Sequence, residues 1–158
     1  MAREIERKFF VKNMPDLSHL KAIRDERYYL YSGEGVELRF QKHGEDYELE
    51  RMVEYANLSR TQEKIKITKD EFETLKQFGK GPIVRESYLI SKNPQITIKI
   101  YHGKFEGLIR AEVEFESLDE AQQFKPLDWF GKEMTNMSIA KDAKLVDIAN
   151  EEFHKLIV

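Results

Sequence analysis

The sequence predicts an α+β fold, one antiparallel sheet of about eight strands closed into a β-barrel, together with two or three helices. Three observations predict it. Nearly every β-prone segment alternates polar and apolar residues, as strands with two unlike faces do. The helical stretches do not alternate with the strands, so the βαβ rhythm of a parallel sheet is missing. The strands are also similar in length, and closing that many into a barrel removes the exposed edges that invite aggregation.

The elements follow in order. Residues 2–12 alternate and end in Phe9-Phe10-Val11, a strand broken by Met14-Pro15-Asp16. Residues 16–24 fit either a short helix capped by Asp16 or a loop. Residues 26–32 are β-prone and reach the turn Ser32-Gly33-Glu34-Gly35. Residues 36–42 and 47–53 flank His43-Gly44-Glu45-Asp46 and read as a hairpin. Residues 61–67 form a further strand. Thr68 and Glu71 have the spacing of a capping box, and the helix behind them carries Phe72, Leu75 and Phe78 on one face. Gly81-Pro82 separates that helix from a strand over 83–91, Asn93-Pro94 turns the chain, and strands over 95–102 and 108–116 follow. Residues 118–124 are a short helix, Trp129-Phe130-Gly131 a loop or turn, and 139–156 carry a helical pattern of Ile139, Leu145, Ile148, Ala149, Phe153 and Leu156.

With 158 residues and no linker, the chain is expected to be one domain, 1–158. Charged residues make up 35% and the formal net charge is -3, so no basic excess points to nucleic acid. The absence of cysteine excludes disulfides, zinc-thiolate sites and cysteine nucleophiles. The four histidines have no metal-ligand spacing. No apolar run is long enough to span a membrane, and the start is too charged for a signal peptide, so the expectation is a cytoplasmic protein without nucleic-acid or membrane partners.

Sorting strands by parity isolates a charged face. Arg39 and Glu37 oppose Leu38 and Phe40; Glu48 and Glu50 oppose Tyr47 and Leu49; Lys64 and Lys66 oppose Ile65 and Ile67. Lys99 opposes Ile98 and Ile100, and Arg110, Glu112 and Glu114 oppose Ala111, Val113 and Phe115. Periodicity leaves two arrangements open: charge facing solvent from a half-buried sheet, or charge lining a tunnel beneath outer helices.

The first strand concentrates the chemistry. In Glu4-Ile5-Glu6-Arg7-Lys8, Glu4, Glu6 and Lys8 share one strand face. Paired carboxylates suit a hard divalent cation, and an adjacent lysine suits a phosphate oxygen. This stretch resembles the Glu-x-Glu-x-Lys signature of the CYTH superfamily, the triphosphate tunnel metalloenzymes, which includes class IV adenylyl cyclases, thiamine triphosphatases and bacterial inorganic tripolyphosphatases. Tyr29-Leu30, Glu37-Leu38-Arg39, the stretch from Gly107 to Phe115 and the stretch from Trp129 to Thr135 resemble later family segments in the same order.

The resemblance implies a barrel tunnel with helices packed outside and Mg²⁺ or Mn²⁺ as cofactor. It implies metal ligands at Glu4, Glu6, Glu112 and Glu114, phosphate binding by Lys8, Arg39 and Arg85, and further site candidates at Tyr29, Lys64, Lys99, Arg110 and Glu133. The partner expected is a small-molecule triphosphate or polyphosphate. The chain departs from the family pattern at Gln41, Met52, Gln62, Lys64 and Ser87, and Lys99 lies where relatives place a metal-binding aspartate. Lys64, Lys66 and Lys99 are therefore expected to pair with the glutamates, and seven inward acids meet seven inward bases. The implied activity is metal-dependent triphosphate hydrolysis. A non-catalytic polyphosphate-binding tunnel is the alternative, and an adenylyl cyclase a lesser one.

Overall fold

A computed structural model describes residues 2–55 and 59–157. Nine strands form one antiparallel sheet: β1 (Ala2–Val11), β2 (Ile23–Gly33), β3 (Val36–His43), β4 (Asp46–Glu54), β5 (Ser59–Lys66), β6 (Lys80–Lys92), β7 (Gln95–His102), β8 (Ile109–Phe115) and β9 (Phe130–Glu133). The order β1-β5-β4-β3-β2-β6-β7-β8 returns to β1, because β1 pairs with both β8 and β5. That double pairing closes an eight-stranded barrel. β1 uses its first residues on β5 (Glu4 opposite Arg60) and its last on β9 (Val11 opposite Phe130), so β9 extends the wall where β5 has ended.

The apolar faces point outward under helices. The capping box of Thr68 and Glu71 starts α1 (Lys69–Leu75), whose Phe72 packs on Tyr28 and Phe40 outside β2 and β3. α2 (Leu118–Gln123) and β9 cover Ile5, Phe9, Val113 and Phe115 on β1 and β8. The charged faces therefore line the interior.

The inward row changes character along the barrel axis. At one end it turns apolar: Tyr29 and Tyr101, which follow Arg27 and Lys99 at strand spacing, join Ile83 and Leu108 in one cluster. Residues 134–157 cap this end with Met134, Ile139, Leu145, Ile148 and Phe153. Among the described residues no helix is long and apolar enough to cross a membrane.

One open alternative is decided and three local expectations are corrected. Residues 16–22 form a turn and not a helix, because Asp16 Oδ1 accepts from the nearby Ser18 N at 2.9 Å and closes a local turn. Gly81-Pro82 does not precede β6 but lies inside it, at a register shift where Tyr29 pairs Lys80 and Arg27 pairs Ile83. The irregular pairing accommodates the missing proline N–H, and Gly81 is required there: φ is +144°, and a Cβ would lie 2.7 Å from Arg27 O. Trp129-Phe130-Gly131 runs into a strand, since β1 has an unpaired edge to offer. The helical pattern over 139–156 breaks into a 3₁₀ turn (Ser138–Ala140), α3 (Asp142–Leu145) and α4 (Asn150–Ile157), because the segment bends to seat its apolar residues across a barrel mouth.

Candidate functional site

The barrel interior holds a cavity of about 270 Å³. Its lining contains nine lysines and arginines against eight carboxylates, with no aliphatic side chain and no aromatic ring besides His43. On β1 and β8, Glu6 stands directly opposite Glu114, and Lys8 opposite Glu112. Like charges across a strand pair are unfavourable unless something else benefits from them. Burial, together with Glu4, Glu6 and Glu112, pushes the Glu114 carboxyl up to about 6. The donor set of four carboxylates fits a hard divalent cation, and the charge accumulated at Glu114 is of the kind a cation relieves. As the side chains stand, no three acids or histidines among the described residues are grouped closely enough to share a metal. Arg60 Nε donates to Glu4 at 2.8 Å and its Nη2 to Glu6 at 3.2 Å, linking both to β5.

The opposite wall, on β2, β3 and β6, sets three arginines beside Asp25 and Glu37. Arg27, Arg39 and Arg85 are buried there, and Arg110 reaches across from β8. Arg39 lies 3.4 Å from Glu37 and 3.3 Å from Glu50, while its buried Nε has no hydrogen-bond partner. The buried Nε of Arg110 is likewise unpartnered. Such N–H groups are costly to bury without a partner.

Asp142, on α3, projects into this wall. It accepts from Arg27 and Arg85 at 2.9 Å, Arg110 at 3.3 Å and Tyr101 Oη at 2.6 Å. Despite burial, the three guanidinium groups and the phenol hold its carboxyl well below the usual range. The C-terminal segment is tied further by Lys8 Nζ, which donates to Ala140 O at 2.7 Å, and by Arg110, which donates to Ile139 O.

The structure brings Glu4, Glu6, Lys8, Arg39, Lys64, Arg85, Lys99, Arg110, Glu112 and Glu114 to one cavity. Tyr29 and Glu133 are placed elsewhere. Tyr29 lies in the apolar cluster at the capped end. Glu133 is on the outer surface, paired with Arg7 at 2.7 and 2.9 Å, because Arg7 has the outward parity of β1. The expected lysine pairings also change. Lys99 donates to Ser87 Oγ at 2.9 Å, and burial beside Arg85 lowers its ammonium to about 8. Lys64 pairs with Glu48 at 3.6 Å, and neither Lys66 nor Glu48 lines the cavity. Lys66 ends β5 exposed to solvent, whereas Glu48 stays buried and accepts from Gln41 Nε2 at 2.9 Å.

Several cavity residues were not singled out by sequence reasoning. Arg60 shares the inward parity of Gln62 and Lys64, and Asp25 and Arg27 share one face of β2, so strand alternation contained that signal. Asp142 carried none, since its segment pairs with no strand.

No family model matches the chain. It is 35% identical over 136 residues to an inorganic triphosphatase of Nitrosomonas europaea, covering 84% of this chain and 89% of that protein. A crystal structure of an inorganic triphosphatase superposes with a TM-score of 0.67 at 31% identity, over 94% of this chain and 97% of that one. The fold is shared more widely: a putative adenylate cyclase of Bacillus halodurans has a TM-score of 0.56 at 14% identity, over 94% of each chain. A closed antiparallel barrel with a charged interior, in a chain this similar to an inorganic triphosphatase, belongs to the CYTH superfamily of triphosphate tunnel proteins.

Proposed function

We propose that the protein hydrolyses inorganic triphosphate inside the barrel, with a divalent metal ion. The observation that carries this reading is the charged interior, in which Glu4, Glu6, Glu112 and Glu114 share one cavity with Arg39, Arg85 and Arg110. Glu4, Glu6, Glu112 and Glu114 would hold Mg²⁺ or Mn²⁺, and the ion supplies charge neutralisation and a polarised water. Arg39, Arg85 and Arg110 would bind phosphate oxygens. Lys8 would contribute from the side of Glu6 and Glu112. Positioning and charge stabilisation are most of what phosphoryl transfer asks of a protein.

The lining also favours an inorganic substrate over a nucleotide. A nucleobase needs an apolar or aromatic platform, and the cavity lining provides no such surface among the described residues. Phosphate release from tripolyphosphate, ATP and thiamine triphosphate with Mg²⁺ or Mn²⁺ tests the reading. Turnover should be highest on tripolyphosphate, and no turnover above background on any of the three would overturn it.

One observation favours a second reading. Asp142 already satisfies three arginines, and Arg60 already satisfies Glu4 and Glu6, so the interior is largely self-neutralised. A tunnel so balanced would bind polyphosphate without metal and without turnover. Calorimetry with tripolyphosphate separates the two: binding that requires Mg²⁺ supports the enzyme, and metal-independent binding supports the second reading.

A further inference from the structure

One pair in the cavity takes no part in holding metal or phosphate in the reading above. His43 ends β3 at the cavity wall, and its Nδ1 lies 2.5 Å from Asp25 Oδ1. Asp25 is buried, and its other oxygen accepts from Arg85 Nε at 3.1 Å. The carboxylate is thus fixed from both sides, and it fixes the imidazole. The His43 side chain remains 36% exposed, and among the described residues its Nε2 makes no hydrogen bond to protein. A ring anchored through one nitrogen and open through the other is the arrangement that proton transfer requires.

We propose that His43, oriented through Nδ1 by Asp25, is the general acid of triphosphate hydrolysis and gives its Nε2 proton to the oxygen released from phosphorus. The proposal rests on the triphosphatase reading. Water adds its oxygen to the terminal phosphorus. The bond from that phosphorus to the bridging oxygen breaks, and its electron pair stays on the departing pyrophosphate. The Nε2 proton goes to that oxygen. The proton lost by water passes to solvent, and solvent reprotonates Nε2.

Both geometry and surroundings support the assignment. The arginines of the cavity cannot release a proton near neutrality. The hydrogen bond that Nδ1 donates to the Asp25 carboxylate raises the proton affinity of His43 above that of a free imidazole. The groups facing it are Asp25 on β2, Asp46 directly across on β4, Glu48 further along β4 and Lys99 on β7. Glu48 adds to the upward shift, while Lys99 and burial oppose it.

The test compares the wild type with His43→Gln and Asp25→Asn, following phosphate release from tripolyphosphate with saturating Mg²⁺ across neutral and alkaline pH. His43→Gln should lower kcat about 100-fold and change KM much less, since general acids contribute about 10²–10⁴ in rate. The alkaline limb of the wild-type profile should disappear in His43→Gln and move to lower pH in Asp25→Asn. Titration of the His43 ring by NMR should give the same midpoint as the wild-type limb. A His43→Gln enzyme that keeps that limb, or keeps kcat within about 3-fold, overturns the proposal, as does a ring titration that misses the limb. A wild type with no turnover overturns the triphosphatase reading itself, whereas active wild type with an unchanged variant profile overturns this assignment alone.

Discussion

Single residues in this barrel are held by charge more than by packing. Asp142 is the clearest case, a buried carboxylate meeting three guanidinium groups. Breaking a buried network from one side leaves the partners uncompensated, so Asp142→Ala should destabilise the fold by about 3–5 kcal/mol. Urea denaturation midpoints measure that loss. Glu50 shows the pH consequence. Against burial, Arg39 and Arg27 lower its carboxyl from 4.5 to about 2. A carboxyl depressed in the folded state adds stability above its unfolded value, and that stability is lost as pH falls through the folded value. Unfolding free energy should therefore decline as pH falls from 4.5 towards about 2, and Glu50→Gln should flatten that decline.

At the scale of elements, the helices outside the wall determine which strand face is buried outward. α1 is short, so its cap and one aromatic anchor dominate it. Thr68 accepts from Glu71 N at 3.1 Å, and Glu71 answers to Thr68 N at 2.8 Å. Thr68→Ala should cost about 1 kcal/mol. Phe72 is 1% exposed and packs edge-on against Tyr28 and Phe40. Phe72→Ala should cost about 3–5 kcal/mol. Chemical denaturation checks both, and a loss at Phe72 no larger than that at Thr68 would mean that α1 does not anchor the wall.

For the whole molecule, the charges facing the cavity have to be neutralised together. Burial and the neighbouring Glu4, Glu6 and Glu112 raise the Glu114 carboxyl to about 6. Glu114→Gln should therefore raise the melting temperature of the metal-free protein by about 2–4 °C while lowering Mg²⁺-dependent turnover. The opposite pairing, lower stability with unchanged turnover, would remove Glu114 from the metal site. Substrate and metal should also stabilise jointly. At 100 times the dissociation constant a ligand adds about 2.7 kcal/mol, and tripolyphosphate should deliver that shift only when Mg²⁺ is present. Differential scanning fluorimetry with and without chelator reads the difference.

The sequence by itself determined the strands, their antiparallel pairing and the charged face that each one carries, because alternation is a local property of the chain. Glu4, Glu6, Lys8, Arg39, Glu112 and Glu114 were legible for the same reason: each sits on a strand whose parity is written in its neighbours. Only the tertiary structure decided that this face turns inward, since that depends on where α1, α2 and β9 pack. Only the tertiary structure could bring Arg60 to Glu4 and Glu6, His43 to Asp25, and Asp142 to its three arginines. Those contacts depend on barrel closure and on how residues 134–157 bend across its end, and a long-range arrangement of that kind leaves no period in the sequence.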